Sequence, residues 1–141
     1  ERGGLDVFLS LPATSPFRSP EDVEACIDLL LEDAGTDAVV TVREADRSPF
    51  FNMVMLDGAG IASLVNRPNL AVGRRQDAPA VFDLTTVAYA VRPAFVMSRG
   101  GLFEGRLRTV LVPRERALDI DTPYDYEIAT ALTRWRETRM A

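Results

Sequence analysis

Asp119-Ile120-Asp121 packs more chemistry into three residues than any other stretch of this sequence. In an extended chain, residues i and i+2 project from one face, so both carboxylates would meet at one point while Ile120 turns inward. Adjacent carboxylates repel unless a cation lies between them. A pair of acids with room for phosphate oxygens is a common way of holding Mg²⁺. The same acids also suit the approach to a helix N-terminus, where negative charge is favoured; spacing alone leaves both readings open. Arg74-Arg75 is a second feature, because guanidinium forks grip carboxylates and phosphates bidentately, although solvated surface arginines look the same in sequence. Thr14-Ser15, set between Pro12 and Pro16, offers two hydroxyls to a ligand or simply makes a turn. Tyr89 and Phe103 by themselves read as core aromatics. Cys26 reads as a small core residue rather than a reactive thiol.

Other chemistries are excluded by composition. All 16 basic residues are arginine, with no lysine and no histidine among the 141. That removes a Ser-His-Asp triad, a His-ligated zinc, a Schiff-base lysine and a P-loop lysine. The single cysteine rules out an internal disulfide and fits a reducing compartment. A formal net charge of −5 argues against a nucleic-acid-binding domain. No apolar run approaches the roughly 20 residues of a membrane span, and no charged-then-apolar leader is visible. The expectation is a soluble, cytoplasmic, single-domain chain, a piece of a longer one.

The elements that must position these residues follow from pattern. Val7 to Leu11 is a short apolar run, read as a buried strand, and Pro12 to Arg18 is a loop. Ser19-Pro20-Glu21-Asp22 starts a helix with a capping serine, a proline at the first position and acids at the positive dipole end. Val23, Cys26, Ile27, Leu30 and Leu31 form its apolar face, and it ends near Gly35. Ala38 to Val42 is a β-branched strand, which makes strand–helix–strand, the unit of a parallel α/β sheet. Phe50 to Leu56 is a further strand closed by Asp57-Gly58. Asn66 to Ala80, with two prolines and three arginines, is a long loop or arm. Val87 to Val91 and Leu107 to Val112 are the remaining strands. A last helix starts at Thr122-Pro123 and puts Tyr124, Ile128, Ala131, Leu132 and Trp135 on one stripe.

In this order, Leu11-Pro12-Ala13-Thr14-Ser15-Pro16-Phe17-Arg18-Ser19-Pro20-Glu21-Asp22, then Pro49 to Val54, Arg75-Gln76-Asp77, Ala88-Tyr89 and Leu118-Asp119-Ile120-Asp121-Thr122 resemble the C-terminal part of the acylneuraminate cytidylyltransferases, the CMP-sialic acid synthetases. The match runs collinearly from about Val7 to Ala129. The resemblance implies an α/β fold, the C-terminal part of a doubly wound, mostly parallel sheet of the nucleotide-diphospho-sugar transferase type. Residues 1–141 would be the C-terminal part of one cytidylyltransferase domain whose N-terminal CTP-loop half is absent from the chain, with a dimerisation arm at residues 50–82. It implies that Asp119 and Asp121 bind Mg²⁺ and that Arg75 reaches from the arm into the neighbouring subunit's site. With no histidine in the sequence, a carboxylate or a metal-bound hydroxide must serve as catalytic base, and Asp121 is the first candidate. Tyr89, Phe103, Thr85 and Thr14 fall at substrate-binding positions.

Departures from the family's pattern cluster at the sugar. Pro12 and Ala13 stand where the family has Gln-Pro, Thr85-Thr86 where it has Asn-Gly, Phe51 where some members carry lysine, and Leu102 where it has a second aromatic. The implied reaction is transfer of CMP from CTP to the anomeric hydroxyl of a nine-carbon, sialic-type 2-keto-3-deoxy sugar acid, by a homodimer. The alternative is a catalytically incomplete dimerising module derived from the same family; an eight-carbon acceptor is a third reading.

Overall fold

Ser19 and Asp22 cap helix α1 (Pro20–Glu32) reciprocally: Ser19 Oγ accepts from the Asp22 backbone N–H at 3.4 Å, and the Asp22 carboxylate accepts from Ser19 N–H at 3.0 Å. Pro20 occupies the first turn, where its missing N–H is an orphan in any helix. The computed structural model describes residues 4–66, 74, 77–98 and 100–140. In chain order it contains β1 (Phe8–Ser10), α1, β2 (Ala38–Glu44), β3 (Val54–Leu56), β4 (Ala62–Leu64), β5 (Phe82–Val91), α2 (Pro93–Ser98), a 3₁₀ turn at Leu102–Glu104, β6 (Leu107–Leu111) and α3 (Pro123–Met140). No helix among the described residues is long and apolar enough to cross a membrane.

The chain divides into two compact units, residues 1–43 with 84–141, and residues 44–83. The larger unit is built on a four-stranded sheet of order β1-β5-β2-β6, in which β1 pairs antiparallel with β5 and β2 pairs parallel with β6. Because side chains alternate along a strand, β5 serves both faces. Ala88 and Ala90 are fully buried with Val39 beneath Cys26 and Leu30 of α1, and Val7, Leu9 and Val110 pack at the margins. On the other face Tyr89 and Val91 pack with Ala38, Leu107, Leu102 and Phe95 of α2. The C-terminus of α1 is closed by Arg92, whose guanidinium donates to the carbonyls of Leu30 at 2.6 Å and Thr36 at 3.3 Å. A cation at that end also complements the helix dipole.

In the sheet β5 lies between β1 and β2, the strands that flank α1 in sequence, and pairs antiparallel with β1. Its alanines leave room for α1 to approach, a fit between distant segments that strand-helix-strand order does not reveal. Several expectations are corrected here. On α1, Leu29 packs into the core and Leu31 is exposed, reversing the expectation for Leu31. On α3 the buried residue is Ala129, with Asp125, Leu132 and Arg136 half-buried on its side, while Tyr124, Ile128, Ala131 and Trp135 face solvent. The apolar stripe of that helix is therefore rotated away from the sheet. β5 begins at Phe82, five residues before the expected start.

The smaller unit, residues 44–83, is organised around Ser48, whose carbonyl accepts from the N–H groups of Phe51, Asn52 and Met53. Its own N–H donates to Asn52 Oδ1 at 2.7 Å. This turn occupies residues expected to be strand; only Val54–Leu56 is extended, paired antiparallel with β4, which the sequence pattern did not reveal. Asp57 closes the hairpin, its carboxylate accepting from Ala59 and Ile61 N–H at 2.9 Å each. The left-handed residue of that turn is Gly60 (φ 81°) rather than Gly58. Val54, Met55, Leu56 and Ile61 are all exposed. Most of the expected loop at 66–80, including Arg75, lies outside the described residues.

Asp22 does more than cap. It is 4% exposed, and Arg116 donates to it through both Nε and Nη2 at 2.8 Å. Burial alone would push this carboxyl up, but the bonds from Arg116 and Ser19 outweigh that and hold it below its ordinary value of 3.8. A carboxyl whose folded pKa is depressed adds stability that is complete above its unfolded pKa and disappears as pH falls through the folded one. Asp22→Asn should therefore cost about 2–4 kcal/mol at neutral pH. The gap to wild type should close as pH drops below 3.8. Urea unfolding across that range measures it; a gap independent of pH would assign the loss to shape rather than charge.

Candidate active site

The candidate site lies in the larger unit, where two irregular segments meet: residues 11–19 after β1, and residues 112–122 between β6 and α3. Pro12 and Pro16 deny the first segment regular hydrogen bonding, so side chains hold it instead. Arg18 donates to the carbonyls of both Pro12 and Ser15. Ser15 is buried and its hydroxyl lies 2.6 Å from that of Thr86 on β5. The two segments are joined directly by Ile120 N–H donating to the Thr14 carbonyl at 2.9 Å. Arg136 of α3 spans them, donating to the Glu115 carbonyl at 2.8 Å while its guanidinium stacks 4.4 Å from the Phe17 ring.

The acidic residues are set by this scaffold. Asp125 anchors the far side: its carboxylate accepts from Thr122 N–H at 2.8 Å, Thr122 Oγ1 at 2.7 Å and Asp121 N–H at 3.2 Å. Hydrogen bonds from the Thr122 side chain and backbone hold the Asp125 carboxyl below its usual value, so it is committed to capping α3. Asp119 and Asp121 have different surroundings. Asp121 is exposed, whereas Asp119 is half-buried and its Oδ1 is fully buried with no hydrogen-bond partner among the described residues. A buried acceptor of this kind is costly to leave unmet, and a divalent cation is the kind of group that meets it. Two carboxylates with phosphate oxygens suffice for Mg²⁺; no group of three or more His, Cys, Asp or Glu that could hold a metal occurs among the described residues.

Tyr89 is the aromatic that belongs to this neighbourhood. Burial first, then the negative charge of Asp119, push its phenol above the ordinary value. Thr14 is exposed, its carbonyl engaged by Ile120. Phe103 is 82% exposed on the 3₁₀ turn, and its neighbour Leu102 is the residue that packs with Tyr89. Thr85 is 6% exposed and donates its hydroxyl to Thr41 Oγ1 at 2.7 Å inside the sheet. The threonine that meets the Ser15 segment is Thr86. Adjacent strand residues point to opposite faces, and only the strand's neighbours decide which one meets the loop. Arg116 and Arg136 also escaped the sequence reading, since nothing local separates them from surface arginines.

No protein-family model matches this chain, and no curated protein matches it. Solved structures do match. The 4-diphosphocytidyl-2C-methyl-D-erythritol synthase of Anaerococcus prevotii is 16% identical with a TM-score of 0.57, over 92% of this chain and 59% of its own. A CMP:2-keto-3-deoxy-manno-octonic acid synthetase, complexed with CTP, is 16% identical with a TM-score of 0.58, over 93% of this chain and 63% of its own. This chain therefore shares the mixed α/β fold of these two structures. It spans about three fifths of the length of either structure.

The contrast between the two threonines is testable. Thr85→Val removes a buried hydroxyl bond and should cost about 1 kcal/mol of stability. Thr86→Val leaves the buried Ser15 hydroxyl without that partner and should cost about 1–3 kcal/mol, while speeding amide exchange at Ser15. Urea unfolding and hydrogen exchange on both variants measure this; faster exchange at Ser15 in Thr85→Val and not in Thr86→Val would overturn the assignment.

Proposed function

We propose that this chain supplies the acid-pair part of a cytidylyltransferase that moves CMP from CTP to the anomeric hydroxyl of a 2-keto-3-deoxy sugar acid. The observation that carries the reading is the buried Oδ1 of Asp119, which has no hydrogen-bond partner among the described residues, whose charge is felt at Tyr89 and which lies three residues from the cap of α3. The fold shared with the CTP-complexed synthetase supports the same chemistry. The resemblance of Thr14-Ser15-Pro16-Phe17-Arg18 to the loop of the sialic-type family is the ground for reading a nine-carbon acid rather than an eight-carbon one.

In this mechanism the anomeric oxygen attacks the α-phosphorus, the bond to the β-phosphate oxygen breaks, and pyrophosphate leaves. Asp119 and Asp121 would hold Mg²⁺, which when bound offsets phosphate charge in the manner general to phosphoryl transfer. With no histidine in the chain, the exposed Asp121 carboxylate takes the hydroxyl proton. Tyr89, and Thr14 and Phe103 at the rim, would face the sugar. The triphosphate-holding loop would come from the N-terminal half of the full-length protein, acting in the cytoplasm.

Arg75 would meet the sugar carboxylate: it stands where the resembled family carries an arginine close to the sugar, and a guanidinium fork suits an anionic partner. We assign residues 50–82 to a homodimer arm. The exposed Val54, Met55, Leu56 and Ile61 support this: a two-stranded hairpin with that much apolar surface is marginal alone.

Pyrophosphate release by the full-length protein, with CTP, Mg²⁺ and a sialic-type acid, tests the reading. Asp121→Asn should lower turnover by at least about a hundredfold. A wild-type rate at limiting Mg²⁺ would overturn the acid-pair assignment. In the same assay Arg75→Ala should raise the sugar KM by more than about tenfold, the loss of a charge-assisted bond, with the CTP KM changing much less. An unchanged sugar KM would remove Arg75 from the site.

A further inference from the structure

Residues 113–121 lie between β6 and α3 without regular secondary structure. The segment makes a local turn, with Arg116 N–H on the Pro113 carbonyl at 3.0 Å and Ala117 N–H on that of Arg114 at 3.2 Å. Its contacts to the rest of the unit include the Arg136 bond to Glu115, the Ile120 bond to Thr14 and the Arg116 fork on Asp22. The fork has the greatest leverage. It is bidentate and charge-assisted, which fixes direction as well as distance. Its partner, Asp22, is buried and already immobilised by the cap of α1.

Arg116 precedes Asp119 by three residues. Among the described residues Asp119 Oδ1 has no hydrogen bond to aim it, so backbone anchors on either side do so. Those anchors are Arg116 upstream and the Ile120 N–H downstream.

We propose that Arg116 is a positioning residue: by forking onto Asp22 it fixes the 113–121 backbone that presents Asp119 and Asp121 to a divalent cation. The proposal rests on the reading of that acid pair given above. It joins two devices that look separate in sequence, the capping box of α1 and the acid pair about a hundred residues later. A lysine at 116 would keep the charge but not the fork, since an ammonium donates from a single point.

The test uses the full-length protein with CTP and Mn²⁺ as probe, read by water-proton relaxation, alongside thermal unfolding and the Mg²⁺ dependence of turnover. Arg116→Lys should weaken Mn²⁺ binding by about tenfold or more, the usual effect of losing a group that orients a metal ligand. The Mg²⁺ concentration for half-maximal rate should rise by a similar factor, while the CTP KM changes less than about twofold. Methylguanidinium added to Arg116→Ala should restore Mn²⁺ binding in part. Should the alanine variant not fold, Asp22→Asn removes the fork from the other side and should weaken Mn²⁺ binding by a comparable factor.

Asp119→Asn separates the two levels. If it abolishes Mn²⁺ binding while Arg116→Lys and Asp22→Asn bind as wild type, the positioning role is overturned and the acid pair stands. If Asp119→Asn binds Mn²⁺ normally, the acid-pair reading falls, and the positioning role with it. Loss of thermal stability in the fork variants at unchanged Mn²⁺ affinity would reduce Arg116 to a structural brace and overturn the proposal.

Discussion

The carboxylate of Asp22 is the point on which the candidate site hangs. It closes the N-terminus of α1 through Oδ2, which accepts from Ser19 N–H, and receives the Arg116 fork on both oxygens. A buried carboxylate survives only when hydrogen bonds replace lost water, and here both sources are on the chain itself. The start of α1, the loop before it and the loop that carries the acids are thereby made one mechanical piece. Ile120 on Thr14 and Arg136 across Phe17 and Glu115 repeat the link at two further points.

Arginine does most of this work because of its shape. Arg18, Arg92 and Arg136 all donate to backbone carbonyls in irregular segments or at a helix end. Five donors in a planar fork reach two acceptors at once, and the flat face is free to stack on a ring, as Arg136 does on Phe17. An ammonium offers neither geometry. The absence of lysine thus coincides with a scaffold in which the basic residues brace loops as well as offset charge.

Strand β5 has a corresponding role within the sheet. Ala88 and Ala90 admit α1 on one face, while Tyr89 turns toward Leu102 and the Asp119 side on the other. Thr85 bonds inward to Thr41, and Thr86 meets Ser15. One strand therefore aligns the core, the hydroxyl-bearing loop and the aromatic of the candidate site. Within residues 44–83 the order is different: Ser48 and Asp57 organise turns by accepting backbone N–H groups, and the hairpin between them leaves its apolar side chains uncovered.

What the sequence determined by itself was local. The cap and proline start of α1, the Thr122-Pro123 start of α3, the β-branched run of β2 and the Asp-x-Asp pair follow from short-range chemistry. So do the exclusions that come from lacking histidine, lysine and a second cysteine. Tertiary structure decided what depends on partners distant in sequence. It placed β5 between β1 and β2, because small side chains there fit beneath α1. It chose Leu29 over Leu31, and Ala129 over the aromatic stripe of α3, because helix rotation is set by the surface beneath. It turned Thr85 into the sheet and Thr86 to the loop, and it left one oxygen of Asp119 buried without a hydrogen-bond partner among the described residues. Nothing in a stretch of residues records which neighbours a side chain will lack, since burial and hydrogen-bond satisfaction are properties of the assembled chain.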